Sequence, residues 1–427
     1  MRSGLLSARA AYLAATAIDA FARGMIFLGL SAYYLRDVGM DPLQLVLVGT
    51  AVEAACFLFE VPTGVLADTV SRKLSVVIGG VLVGVCYMLT GALPLFGAVI
   101  AAEIVRGVGE TFLSGAYEAW ITDEVGVENV GPVLLRAEQI GRVAGLFGGG
   151  AAVLLATRFG YAVPIFAGGA LLSTLFAAMF RLMPERGFTP TPRETRGAFA
   201  QTAHTFMHGA LAVRGSAVLA ALLVVEVVFG AASEGYDRLW EAHLLSGFSL
   251  PVLTLPGFGA LDPIAWFALF EVVMTGIGVT LLEVARRRLD MGVQAHLTRV
   301  LIVLNVIVIA ATLGFAAAGR FEAAVAALIV RACAAALLRP IQSAWLNRHI
   351  PSAVRATVLS MYGQSNALGQ IAGGPGVGWF GARYGLPGAI SLAGLLLAPA
   401  VWVYSRMHVR RRVADLEEIP PRADGGG

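Results

Sequence analysis

Charge is scarce in this chain. Charged residues make up 14% of its 427 residues and hydrophobic ones 57%. Water-soluble domains carry about 25% charge, and mean hydropathy here is +0.76, so a soluble globular protein is excluded first. Cysteine is scarce too. Cys56, Cys86 and Cys333 all lie in apolar runs, and their spacing fits neither a disulfide framework nor a metal site, so they read as buried, inert thiols. The six histidines fall in or near loops. His204 and His208 stand at i, i+4 without a third ligand, so no metal centre is expected. There is no phosphate-cradling Gly-x-x-x-x-Gly-Lys-Ser/Thr loop, which argues against a built-in ATPase. No repeated carbonyl loop or charged ring suggests a channel filter. Nothing clusters a nucleophile with a base, so neither an enzyme nor a cofactor is expected. The net charge of +3 comes from basic residues beside apolar runs and makes no case for nucleic acid. The first apolar run lacks a cleavage-like signal and reads as a retained helix.

What the chain does have is apolar runs of membrane-spanning length, about 20 residues each. They fall at about Ala10–Tyr34, Leu43–Ala67, Leu74–Leu93, Phe96–Trp120, Ala137–Thr157 and Tyr161–Met179. After a hydrophilic stretch they resume at Ala217–Glu234, Asp262–Leu282, Leu297–Ala317, Phe321–Ile341, Val358–Phe380 and Leu386–Tyr404. The expected fold is an all-α membrane protein with twelve transmembrane helices in two six-helix bundles. Its expected divisions are an N-terminal bundle over 1–180, a linker over 181–214, a C-terminal bundle over 215–405 and a tail over 406–427. Outside the spans, Arg36, Arg158, Arg238, Arg320 and Arg383 fall on one side and the other arginines on the opposite side. The positive-inside rule then places both termini in the cytoplasm of a plasma-membrane protein.

The runs around the second and third helices meet at Glu60-Val-Pro-Thr-Gly64-Val-Leu66-Ala67-Asp68-Thr-Val-Ser-Arg72-Lys73. A carboxylate at a tight turn accepts hydrogen bonds from helix-end N–H groups, and cations meet carbonyl ends, so Gly64, Asp68, Arg72 and Lys73 suit a gate. The pattern Gly64-x-Leu66-Ala67-Asp68-x-x-x-Arg72-Lys73 resembles the signature loop of the major facilitator superfamily. That resemblance implies a secondary transporter, and the drug/proton antiporter branches are the nearest in kind. Glu283 to Asp290 resembles a decayed second copy of the loop, with its charges but without its core. Arg355-Ala356-Thr357 resembles the polar start of helix eleven in relatives.

Charges inside the spans carry the mechanism. Each costs about 3 kcal/mol at mid-span on insertion scales, so each is expected to face protein or a watery cavity. Asp19 and Arg23 share a face of helix one. Glu103, Arg106 and Glu110 form one stripe of helix four, where Arg106 neutralises one carboxylate and leaves the other to exchange protons. Arg106-x-x-Gly109 resembles the helix-four motif that proton-coupled relatives use. Glu103 or Glu110 is expected to carry the proton rather than Asp19, which has Arg23 one turn away. Glu53 on helix two and Glu226 on helix seven complete the expected cavity, with Arg331 as a partner for Glu226. An outer gate is expected from Asp237, Arg238 and Glu241.

Gly141-x-x-x-Gly145-x-x-x-Gly149 permits close helix approach. It resembles the helix-five motif of exporters but has Leu146 where that motif has proline. Gly373-Gly374-Pro375-Gly376 is expected either to loosen helix eleven as a hinge or to serve close packing alone. The functional expectation is proton-coupled efflux of lipophilic or cationic small molecules by a monomer among membrane lipids. The alternative is a specific metabolite carried by symport or facilitated diffusion.

Overall fold

The computed structural model describes residues 7–190, 217–288, 294–350 and 355–406. Residues 191–214 of the expected linker, including His204 and His208, and all but Arg406 of the expected tail lie outside the described residues. The helices are α1 (Ala8–Arg36), α2 (Pro42–Thr69), α3 (Arg72–Ala92), α4 (Phe96–Leu113), α5 (Ala116–Val125), α6 (Val127–Phe159), α7 (Ala162–Leu182), α8 (Ala217–Gly247), α9 (Ala265–Arg288), α10 (Gln294–Ala316), α11 (Phe321–His349) and α12 (Arg355–Leu395). A two-residue hairpin, Thr254–Leu255 with Gly259–Ala260, lies between α8 and α9.

Among the described residues nine helical stretches are long and apolar enough to cross a membrane. The last, Val358–Arg406, holds two passes, because Gly385 at φ 80° turns the chain in the middle of α12. Charged α4 and α8 complete twelve. Successive passes run up and down, so the α2–α3 turn with Arg72 and Lys73 marks one end of the bundle, the basic end. The first half pairs α1 with α6 and α7, α3 with α4 and α7, and α2 with α4. The second pairs α8 with α12, and α10 with α11 and α12.

Local signals explain the helix starts. Ser7 caps α1, and Asp41 forms a capping box with Gln44 ahead of Pro42 at the first position of α2, satisfying donors that helices leave open. Ser71 caps α3, so the α2–α3 connection is only two residues long.

Several expected boundaries are corrected. Helix two continues through Pro62 to Thr69, placing Gly64 and Asp68 inside the helix and not in the turn. Expected helix four breaks at Gly115, whose φ of 70° suits glycine alone, and resumes as α5. The expected polar loop from Ile121 to Arg136 is helical, because its charges sit on faces of α5 and the first turns of α6. Helix seven extends to Gly247, so Asp237, Arg238 and Glu241 are in a helix and not in an outer segment. α12 does not break at Gly373-Gly374-Pro375-Gly376; its non-helical residue is Gly385.

Glycine lets helices approach where side chains would hold them apart. A Cβ at Gly169 of α7 would lie 2.6 Å from the Gly84 carbonyl oxygen and 2.7 Å from the Met88 nitrogen of α3. Both obstacles are backbone, which cannot swing aside. Gly169→Val is therefore expected to destabilise the first half by about 3 kcal/mol, the upper range of overpacking. Thermal unfolding of detergent-solubilised protein reads it as a lower midpoint, and an unchanged midpoint refutes this packing.

Candidate functional site

The two halves meet differently at the two ends. Away from the basic end they are closed against each other. Arg36 donates to the Tyr161 hydroxyl at 2.6 Å, and that hydroxyl donates to Asp262 of the second half at 2.8 Å. The Asp262 backbone N–H also donates to Thr157 at 3.0 Å. Beside this link, Pro42, Leu43 and Val46 of α2 pack on Gly374, Gly378 and Gly381 of α12, and the Glu234–Arg238 pair of α8 lies on Gly49 of α2. The expected outer gate of Asp237, Arg238 and Glu241 is thus replaced by Arg36, Tyr161 and Asp262. Among those three expected residues Arg238 joins the seal, and Glu241 bonds Ser31 of α1 across the halves.

From mid-depth to the basic end lies a cavity of 870 Å³, lined by α1, α2, α4, α5, α7 and α12. Asp19, Glu53, Glu60, Glu110 and Glu118 line it with a single guanidinium, Arg23, and with Tyr12, Phe57, Tyr117 and Phe176. Here the halves touch through Gln364, which donates to Glu60 at 3.3 Å.

The floor is a chain of charge from α1 to α4. The Arg23 Nε donates to both Asp19 oxygens at 3.1 and 3.0 Å, and its two terminal nitrogens donate to Glu110 at 2.8 and 3.3 Å. Arg106 meets Glu110 at 3.4 Å and Glu103 at 2.6 Å. Tyr34 donates to the other Glu103 oxygen at 3.2 Å, and the Tyr87 ring lies 5.3 Å from the Arg106 guanidinium. Three carboxylates alternate with two cations, so no carboxylate of α4 is left without a guanidinium. The expected division, in which Arg106 serves one of them only, is corrected: Glu110 is shared by both arginines. Glu103 is sealed at 1% exposure and, like Arg106, does not line the cavity. Asp19 and Glu110 do. Glu53 reaches the cavity with no hydrogen bond or ion pair of its own among the described residues.

Glu226 lies in a separate 380 Å³ pocket of the second half, with Asp237, Arg331, Arg339, Gln342 and Asn366. Asn366 donates to it at 2.6 Å. Arg331, its expected partner, instead stacks 3.2 Å from the Tyr236 ring centre.

At the basic end the expected gate is tied within its own half. Arg72 donates to Asp123 and, at 3.0 Å, to the Ala119 carbonyl of α5. It approaches Asp68 only to 3.6 Å, with the Asp68 side chain 58% exposed. The carboxylate at the α3 N-terminus is Glu185, which accepts from the Lys73 N–H at 2.9 Å and from the Ser71 hydroxyl at 2.8 Å. Lys73 itself sits 5.2 Å from the Phe180 ring. A Cβ at Gly64 would meet nothing within 4 Å. Glu185, Asp123, Tyr34 and the Arg36–Tyr161–Asp262 link were not readable from spacing, since each partner is brought in by tertiary contact. Asp123 had a signal, as an acid two spans along the chain from the basic turn and so at the same end of the bundle.

The glycine stripe packs as its spacing implies. Gly141 and Gly145 lie on Thr16 and Ala20 of α1, though the tightest approach, to Phe21, belongs to neighbouring Gly148. Gly373 and Gly374 pack on Ala231 and Glu234 of α8, and Pro375 continues the helix.

The sequence profile of the Major Facilitator Superfamily matches residues 12–292, and the chain belongs to that family. It is an integral membrane transporter of the secondary class. An uncharacterized MFS-type transporter of Bacillus subtilis (strain 168), YxaM, is 22% identical over 395 residues, covering 89% of this chain and 91% of that one. Among solved structures the nucleoside transporter NupG aligns with a TM-score of 0.69 at 14% identity, over 95% of this chain and 99% of that one. A POT family transporter in complex with a thioalcohol-conjugated peptide aligns at 0.65 and 12% identity, over 94% and 95%. These likenesses show the fold.

Removing Arg23 strands Asp19 and leaves Glu110 with Arg106 alone. Arg23→Met is expected to cost about 2 kcal/mol, less than for a sealed pair, because these side chains are 23% to 25% exposed to the cavity. Adding Asp19→Asn should recover part of the loss. Urea unfolding in detergent would check both, and a double variant no more stable than the single one refutes the shared pairing.

Proposed function

We propose that the protein exports lipophilic organic cations in exchange for protons by alternating access. The observation that supports this reading is the cavity lining of five carboxylates against one guanidinium. Aromatic faces beside the carboxylates add cation–π attraction, and the volume of 870 Å³ suits a drug-sized molecule. The residues divide the work. Asp19 and Glu110 share Arg23, so a substrate cation arriving at Asp19 competes with Arg23 and with a proton for the same oxygens. Glu53, held by no ion pair, is a second place for either. Glu103 and Arg106 act from behind, fixing Glu110. Mutually exclusive occupancy by proton or cation gives antiport. Acid then favours the protonated, cation-free form, and alkaline conditions favour cation binding.

In this reading the basic end is cytoplasmic, by the positive-inside rule, and the protein sits in the plasma membrane as a monomer, since one chain supplies the whole cavity. The halves, 1–180 and 215–405, rock about the site, with 181–214 as a cytoplasmic linker and 406–427 as a tail. The structure's state is open to the cytoplasm. Reaching the outward-open state requires parting Arg36–Tyr161–Asp262 and lifting α2 from the α12 glycines, with Gly373, Gly374 and Pro375 as the hinge.

A second reading, specific transport of a polar metabolite, draws on the 380 Å³ pocket, where two arginines, two acids and two amides mix donors with acceptors. Counterflow in proteoliposomes separates the two. Competition among structurally unrelated cationic dyes supports the first, and stereospecific exchange of one compound supports the second.

Substrate-induced proton release, followed with a pH dye on solubilised protein, should fall by at least about half in Asp19→Asn, Glu53→Gln or Glu110→Gln, as expected when a coupled set loses one titrating member. Full release in all three, with binding intact, removes this cavity from coupling. Asp68→Asn is expected to slow turnover at saturating substrate by about tenfold, corresponding to about 1.4 kcal/mol, with little change in binding. Unchanged turnover in a proteoliposome assay returns Asp68 to a role in topology alone.

A further inference from the structure

A second cavity of 720 Å³ lies between the halves, on the seam where α6 faces α9. It begins at Arg23, which also lines the main cavity, and extends away from the basic end. Its walls combine four aromatic residues, Phe27, Trp240, Phe267 and Phe270, with two carboxylates, Glu241 and Glu271. Trp240 and Phe267 meet edge to face at 5.5 Å. The Glu241 Oε2 is sealed from solvent and has no hydrogen-bond partner; Ser31 of α1 bonds the carboxylate otherwise. Glu271 stands exposed in a membrane span with no ion pair among the described residues. The two cations of the wall are already engaged, Arg23 with Asp19 and Glu110, and Arg142 with Glu138 at 2.8 Å.

Two carboxylates without an ion pair among the described residues are costly at membrane depth, and aromatic faces beside them attract the same sign of charge as would pair with them. The seam also faces lipid. Val143 and Phe147 of α6 and Val272 of α9, beside it, are 55%, 70% and 52% exposed, and in a spanning helix such exposure meets acyl chains. Glycines keep the α6 wall low: a Cβ at Gly150 would meet nothing within 4 Å.

We propose that this seam is a second organic-cation site, taking a lipophilic monovalent cation from the bilayer and holding it between Glu241 and Glu271 with its apolar body against Trp240 and Phe267. It deepens the cation-transport reading but stands on residues outside the main cavity, so the two fail separately. Because Arg23 borders both spaces, a cation in the seam lies next to the network that the main cavity uses.

Tetraphenylphosphonium binding to the full-length protein in detergent tests the site, by equilibrium dialysis and by Trp240 emission, with Trp240→Phe isolating that signal. The expected result is two sites per chain. Glu241→Gln with Glu271→Gln should weaken one site about tenfold, as for the loss of a charge-assisted contact, and abolish the Trp240 response while the other site persists. Removing charge from a span eases insertion, so this variant is expected to fold. Asp19→Asn with Glu53→Gln should do the converse. One site per chain with a silent Trp240 overturns the seam site and leaves the main reading standing. Binding confined to the seam overturns the main reading instead. In the unmutated protein, a bromine-bearing quaternary ammonium should quench Trp240, and failure to quench overturns the seam site without any carboxylate variant. Retention of phosphatidylethanolamine at the seam, undisplaced by tetraphenylphosphonium, would make it a lipid site and also overturn the proposal.

Discussion

The alternation of Asp19, Arg23, Glu110, Arg106 and Glu103 is the interaction on which the first half depends. Five charged groups in two membrane helices are tolerable only because each carboxylate has a guanidinium within hydrogen-bonding reach. The chain of contacts fixes how α1 stands against α4, and with it the floor of the cavity. It also grades exposure along its length. Glu103 is sealed beside Tyr34, Glu110 and Asp19 reach the cavity, and Arg23 borders a second space on the seam. One network therefore has a structural end and a responsive end. Three carboxylates against two cations leave a single negative charge in excess.

Glycine sets the geometry around that network. Within the first half, α3 with α7 and α1 with α6 approach to backbone contact, so each bundle behaves as a stiff unit. Between the halves, α12 presents Gly374, Gly378 and Gly381 to α2, a smooth seam with few side chains to disengage. Stiff halves and a smooth seam are what a rocking motion requires. The polar link of Arg36, Tyr161 and Asp262 supplies the specificity that smooth packing lacks, since hydroxyl and carboxylate must meet in register.

Span number and the stripe of Glu103, Arg106 and Glu110 were legible in the sequence, because hydropathy and helical period are local properties. Asp19 and Arg23 were legible for the same reason, at i, i+4. Pairing across helices was not. Arg23 reaches Glu110, 87 residues away, and nothing in spacing distinguishes that partner from Glu103. Arg331 and Glu226 look like partners by depth alone, yet they sit apart, because the aromatic face of Tyr236 competes for the cation. Helix ends were misjudged wherever charge was read as loop. Asp237, Arg238 and Glu241 stay helical because Asp237 and Glu241 find pockets and Arg238 finds Glu234. Gly373 to Gly376 looked like a break, but close neighbours hold the helix straight, while isolated Gly385 turns it.

The basic turn illustrates how a motif's role depends on what it touches. Asp68, the acid of the family signature, is largely exposed, while Glu185 from the segment after α7 occupies the α3 N-terminus, where the helix dipole favours an anion. Arg72 is bound to α5, and Trp120 of α5 donates to the Pro184 carbonyl. All these contacts stay inside the first half. In this state the turn stiffens one half and leaves the other free of it, and Asp68 keeps only its 3.6 Å approach to Arg72. Its exposure leaves it available to the second half. The anchoring of this turn is done by Glu185 and Asp123, and the acid of the signature is left largely exposed.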